Sequence, residues 1–127
     1  ESGIELELNE IENKSFLPKE CLEIKNQKSL FESLKKHEDF FNDILNQANK
    51  NKARLKYIAE LKNNKAKVEL REIKKGHNFY KLDGSDNIIL FYTNRYSEQP
   101  LIVKGAGAGA DVTAAGVFGD IIRIGKR

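Results

Sequence analysis

Cysteine is nearly missing from this chain. The one thiol, Cys21, cannot form an intramolecular disulfide, which fits a reducing cytoplasm. Histidine is almost as scarce. His37 and His77 lie far apart with no cysteine at a zinc spacing, so no structural or catalytic metal site is expected. No apolar stretch approaches the roughly eighteen residues that would suggest a membrane span. Residues 1–10 alternate acidic with aliphatic side chains, which is not the pattern of a signal peptide. Neither sign of charge is concentrated. The net charge is +3. Lys35-Lys36 is followed by Glu38 and Asp39, and Lys74-Lys75 is preceded by Glu69, Arg71 and Glu72. Such mixing reads as a solvated surface, and it argues against a nucleic-acid partner. A membrane partner is not expected either.

What remains is an ordinary globular composition, 39% hydrophobic and 32% charged over 127 residues. That length fits one domain, which can bury roughly two-thirds of its unfolded surface. Ile4, Leu6 and Leu8 alternate with polar residues and predict a half-buried strand, with Ile11 in its continuation. Pro18 makes Lys14 to Glu20 a loop. Ser29-Leu-Phe-Glu32 has the form of a capping box opening a helix, with Leu30, Phe31 and Leu34 on its apolar face. Phe40, Phe41, Ile44 and Leu45 mark a second helix after a bend near His37, fraying over Asn46 to Asn51.

Alternation returns at Leu55, Tyr57 and Ala59, and again at Ala66, Val68 and Leu70. Asn63-Asn64 between them predicts a hairpin turn, since asparagine tolerates positive φ. Phe79 to Leu82 is a short strand candidate, Asp83 to Asp86 a turn, and Asn87 to Arg95 a buried strand. The expected fold is α+β: a mixed, largely antiparallel sheet with helices packed against it, plus a C-terminal strand, glycine loop and helix.

That last segment carries the chemistry. Leu101, Ile102 and Val103 read as a short buried strand. Gly105, Gly107 and Gly109 then free the backbone of side chains, and Asp111 or Thr113 can cap the helix that follows. The unpaired N–H groups of a helix start suit an anion or a cofactor. Gly105-x-Gly107-x-x-Ala110 also has the G-x-G-x-x-G/A form of a dinucleotide loop. The full unit would need a second strand and an acidic residue about twenty positions on, and residue 127 comes first. No Gly-Lys-Ser/Thr follows, so it is not a Walker A loop. The alternative is packing, in which small residues such as Gly116 and Gly119 let helix and sheet approach closely. No catalytic group stands out. Tyr57, Tyr80, Tyr92 and Tyr96 read as packing residues, and Cys21, beside Glu20, reads as an idle thiol rather than a reactive one.

The run VKGAGAGADVTAAGVFGDIIRI closely resembles the C-terminal signature of homoserine dehydrogenases. IELELNEIENKSFLPKE, RLKYIAEL and NIILFYTNRYSEQPLIVKGAGAGADVTAAGVFGD follow that family in order, as in bacterial fusions with aspartokinase. The resemblance implies the C-terminal part of a larger cytoplasmic enzyme of threonine and methionine biosynthesis. That enzyme interconverts aspartate semialdehyde and homoserine with NAD or NADP. By the same resemblance, residues 1–104 belong to the substrate and dimerisation region, and 105–127 return to the nucleotide-binding domain. Gly109 is then the first candidate for cofactor contact and Thr113 the second, with Gly107 and Gly105 shaping the loop. The family's catalytic lysine and substrate acids fall before Glu1, so no catalytic residue is assigned here. The isolated chain is expected to be inactive and to bind no cofactor tightly. Its partners would be the rest of the parent enzyme and a second copy, met through the sheet, while small-molecule substrate would bind only the parent. The absence of a regulatory domain after Arg127 favours the aspartokinase fusion. The rival reading is a non-catalytic oligomerisation module whose glycine loop serves packing.

Overall fold

The computed structural model describes residues 3–126; Glu1, Ser2 and Arg127, the ends of the two expected regions, lie outside the described residues. The chain divides into two compact units, one running to Tyr80 and one starting at Lys81. This division concerns packing within the chain, whereas the expected boundary at 104/105 concerns the domains of a parent enzyme.

The first unit holds a three-stranded sheet and three helices. Strand β1 (Glu12–Lys14) runs parallel to the central strand β3 (Lys65–Lys74), and β2 (Ala53–Lys62) pairs antiparallel on its other side. Helices α1 (Lys19–Leu22), α2 (Gln27–Lys36) and α3 (Glu38–Lys50) lie between β1 and β2 in sequence. Helix α3 packs against β2, and the three helices contact one another in order. The buried residues are few: Cys21, Ala48, Ala53, Ile58 and Ile73.

The β2–β3 hairpin forms as expected. Asn63 and Asn64 take φ of 52° and 59°, the two consecutive positive values that a two-residue turn needs to match strand twist. The bend between α2 and α3 also falls at His37. Its ring Nδ1 lies 2.9 Å from the Ser33 carbonyl, and its Nε2 lies 3.4 Å from a Glu20 carboxylate oxygen. Fold class is thus as the sequence reads: α+β, mixed, and largely antiparallel.

Several local expectations are corrected. Ile4 to Leu8 is not a strand. Ile4 and Leu6 are half-buried and Glu5 and Glu7 exposed, so the alternation survives, but Leu8–Glu10 forms a 3-10 turn. The Glu7 N–H donates to the Glu10 carboxylate at 2.7 Å and closes that turn; the edge of β3 is taken by Glu12–Lys14 instead. Lys14 to Glu20 is not all loop either, because α1 begins at Lys19 with Pro18 as its N-cap, where the missing N–H costs nothing. Ser29 does not cap α2. Asn26 does, accepting the Ser29 N–H at 3.1 Å, one turn earlier than the motif suggests. Asn46 to Asn51 does not fray from the apolar stretch: α3 continues to Lys50 because Ala48 is buried against its neighbours. It stops where Lys52 enters the left-handed region at φ 52°. Phe79 to Leu82 is no strand, since Asn78–Lys81 forms a 3-10 turn in which the His77 ring accepts the Phe79 N–H at 3.1 Å.

The second unit consists of a two-stranded antiparallel sheet and one helix. Strand β4 (Asp86–Phe91) pairs with β5 (Leu101–Ala106), and helix α4 (Ala110–Gly125) follows. The expected strand to Arg95 ends early because a tight turn intervenes: Tyr96 N–H donates to the Thr93 carbonyl at 3.0 Å and lies 3.2 Å from its hydroxyl. Neither strand is buried. Leu101, Ile102 and Val103 are exposed, and no described residue of this unit is fully buried. Three elements with no second layer cannot enclose a core.

Candidate functional site

The glycine loop joins β5 to α4. The ladder pairs Asp86 with Ala106 and Asn87 with Gly105. One further bond, from Gly107 N–H to the Ser85 carbonyl at 3.1 Å, extends the pairing beyond β5. The chain then frees itself and Gly109 caps α4.

Gly109 has φ 135° and ψ 154°. Side chains essentially exclude that region, so only glycine takes it without strain. Space is not what demands glycine there, because an added Cβ would meet no atom within 4 Å. The Thr113 N–H donates to the Gly109 carbonyl at 3.1 Å and closes the first turn of α4. No side chain caps this helix. The expected caps, Asp111 and Thr113, are therefore corrected: both lie inside the helix, beyond reach of the capping position. The first-turn N–H groups of a helix entered in this way face outward, with the positive end of the helix dipole beside them.

Four sequence-predicted residues, Gly105, Gly107, Gly109 and Thr113, thus lie within nine positions on a strand end, a loop and a helix start. Gly105 belongs to β5, and an added Cβ there would also meet open space. Gly116 and Gly119 are likewise open, so within the second unit they are not points of close helix–sheet approach. Beside the loop Lys104 pairs with Asp86, at 3.0 Å across the two strands. Helix α4 is apolar on most of its surface, and Val117, Phe118, Ile121 and Ile124 are all exposed.

Sequence reading missed Asn87. Its side chain occupies the space a Cβ on Gly107 would need. Only the strand register, which places Asn87 opposite Gly105, reveals that meeting; nothing in the local sequence signals it.

The groups with displaced pKa values lie elsewhere, on the three-stranded sheet. Arg71 hydrogen-bonds Glu60 and, at 2.6 Å, Glu69; Lys67 reaches Glu69 at 2.7 Å. The Arg71 hydrogen bond holds Glu60 below the usual carboxylate range, and Lys67 first, then Arg71, does the same for Glu69. Lys67 is raised in turn by Glu69, and Arg71 by Glu60 and then Glu69. These are neighbouring, half-buried charges on one sheet face and make a structural ion network rather than a reactive centre. Among the described residues no group of three or more His, Cys, Asp or Glu is placed to hold a metal ion, and no helix is long and apolar enough to cross a membrane.

Known proteins are similar to this sequence. The family model for homoserine dehydrogenase matches residues 1–122. Bifunctional aspartokinase/homoserine dehydrogenase 2, chloroplastic, of Zea mays is 45% identical over 129 residues, which cover 98% of this chain and 14% of that protein. Homoserine dehydrogenase of Schizosaccharomyces pombe is 38% identical over 113 residues, 87% of this chain and 30% of its own length. A crystal structure of a Candida auris protein of unknown function has a TM-score of 0.75 at 34% identity, covering 94% of this chain and 34% of that one. The chain therefore spans a small part of each of these relatives.

Proposed function

The chain belongs to the homoserine dehydrogenase family, and on that premise we propose that it is the C-terminal part of an NAD(P)-dependent enzyme interconverting aspartate semialdehyde and homoserine. In this reading residues 1–104 belong to the substrate and dimerisation region. Residues 105–127 return to the nucleotide-binding domain. Gly109 and Thr113 face the nicotinamide end of the cofactor, and Gly107 and Gly105 shape the loop that brings them there. The cofactor supplies the hydride; these residues supply a close backbone wall and outward N–H donors.

One observation carries the assignment of the loop. Gly109 adopts a glycine-only backbone at a helix start while its would-be Cβ faces open space. Packing does not require glycine there, so the rival module with a purely packing loop is the weaker account. The exposed apolar surface of α4 and of β5 supports the same reading, since a cofactor domain would cover it.

The chain by itself is proposed to lack activity. No residue in it matches the family's catalytic lysine, and the described residues form no complete dinucleotide-binding unit. Hydride transfer gains from proximity only when both reactants are held. The purified chain, assayed by absorbance for homoserine-dependent reduction of NAD and NADP, is expected to give no turnover. Turnover proportional to chain concentration and comparable to a complete dehydrogenase refutes the proposal. Fusion to an aspartokinase, and a cytoplasmic site of action, remain part of the same proposal.

A further inference from the structure

We infer that Asn87 is a positioning residue for the glycine loop, matched sterically to Gly107, and that it acts on nucleotide binding through that glycine. The inference rests on the reading of this loop as a cofactor wall. It adds a residue outside the glycine signature and a reason for one glycine within it.

Gly107 and Gly109 are glycines for different reasons. Gly109 has a positive φ and open space; Gly107 is not among the residues of positive φ, and its would-be Cβ is blocked. That Cβ would overlap the Asn87 carboxamide and stand 2.9 Å from the Asn87 Cβ. Asn87 lies on β4 opposite Gly105, so its side chain falls diagonally across the strand towards Gly107. The missing side chain at Gly107 gives the carboxamide its place. Just beside it the Gly107 N–H is tied to Ser85. The loop is therefore held from two sides, by a hydrogen bond and by a filled volume.

Only Ala108 separates Gly107 from the cap of α4. A shift at Gly107 must pass to Gly109 and to the first-turn N–H groups. Rotating the carboxamide aside would relieve its own overlap with a side chain at 107, but the Asn87 Cβ cannot rotate away. A side chain at 107 thus displaces the loop unless residue 87 loses its Cβ as well. Misplacement of a binding group by a fraction of an ångström is enough to cost affinity for a ligand held by backbone donors.

The test uses the complete dehydrogenase carrying this segment, with NADP and homoserine kinetics. Gly107→Ala is expected to raise the nucleotide KM about tenfold, which is about 1.4 kcal/mol, with little change in the homoserine KM. The double variant Asn87→Gly/Gly107→Ala is expected to recover most of that loss. A double variant as poor as Gly107→Ala overturns the match, as does an equal rise in both KM values, which would not be specific to the nucleotide. Asn87→Gly alone keeps the loop sequence and guards against misfolding of Gly107→Ala. It is expected to raise the nucleotide KM, while Asn87→Asp, which keeps the volume, stays closer to the parent; the reverse order overturns the steric role. Thermal unfolding of the 127-residue chain reads the match without cofactor: Gly107→Ala lowers the midpoint and Asn87→Gly restores it, or the match is refuted. If Gly109→Val leaves NADP affinity unchanged while that thermal rescue holds, the cofactor reading has failed and the Asn87–Gly107 match has not.

Discussion

The Thr113 N–H donates to the Gly109 carbonyl at 3.1 Å, across the first turn of α4. The contact uses the Thr113 backbone alone and leaves its hydroxyl out of helix capping. Thr113→Val is therefore expected to leave thermal stability nearly unchanged. If the hydroxyl serves the cofactor, the complete enzyme loses about 0.5–1.5 kcal/mol of nucleotide affinity. Titration alongside thermal unfolding checks both halves. A fall in stability with unchanged affinity would return Thr113 to a capping role.

Gly109→Val forces a branched side chain into φ 135°. The strain is of order 1–3 kcal/mol, and the new side chain stands where backbone must approach the ligand. Nucleotide affinity of the complete enzyme is expected to drop strongly. A folded variant with normal NAD and NADP binding would refute the pocket-wall role of the loop.

Asn26 and Ser29 separate the capping motif from the cap. Asn26→Ala is expected to destabilise the first unit by about 1 kcal/mol, because the Ser29 N–H loses its acceptor. Ser29→Ala leaves that N–H bond in place and is expected to cost less. Chemical denaturation of both variants decides the order; the opposite ranking would restore Ser29 as the cap.

Glu60 and Glu69 give the first unit a pH dependence of known sign. Their folded pKa values lie below the ordinary 4.5. Their contribution is present in full above about pH 4.5 and is lost as pH falls through the lower folded values. Arg71→Leu removes the common partner, so its thermal midpoint is expected below that of the parent at pH 7, with the gap closing in acid. The pairs are still reached by solvent, so the gap is modest and shrinks in salt. A gap that widens below pH 4.5 would contradict the assignment.

The sheet of the first unit predicts association. Leu55, Tyr57, Ala59 and Leu61 on β2 share one face with Ala66, Val68 and Leu70 on β3. Tyr57 and Leu61 on that face are 52% and 46% exposed, and β2 is an edge strand. Sedimentation at increasing concentration is expected to detect a dimer, and Leu61→Lys to weaken it. A strict monomer at high concentration would remove the sheet as the dimer surface.

Sequence and structure divided the work along a physical line. Where one element's signal is local and strong, the sequence suffices. Two asparagines between alternating runs can only turn, so the β2–β3 hairpin was legible. So was the bend at His37, and so was the order of strand, glycine loop and helix at the C-terminus. Family membership was legible for the same reason, being carried by a contiguous run of residues. The elements that were misread depend on a choice between near-equal local options. Asn26 and Ser29 can each cap a helix, and the packing of neighbouring elements selects the one that fits. Ile4 to Leu8 alternates like a strand, but the Glu7–Glu10 hydrogen bond closes a turn there, and β1 takes the edge of β3 instead.

The loop shows the same division. The glycines themselves, and their place before a helix, could be read from the chain. Why each is glycine could not. The positive φ at Gly109 belongs to the turn into α4, and the Asn87 side chain meets Gly107 only when β4 and β5 pair in this register. A shift of that register by one residue would turn Asn87 to the other face. The sequence determined which residues stand at the loop. The pairing of two strands decided which of them touch, because side-chain contact across a sheet is set by register and not by separation along the chain.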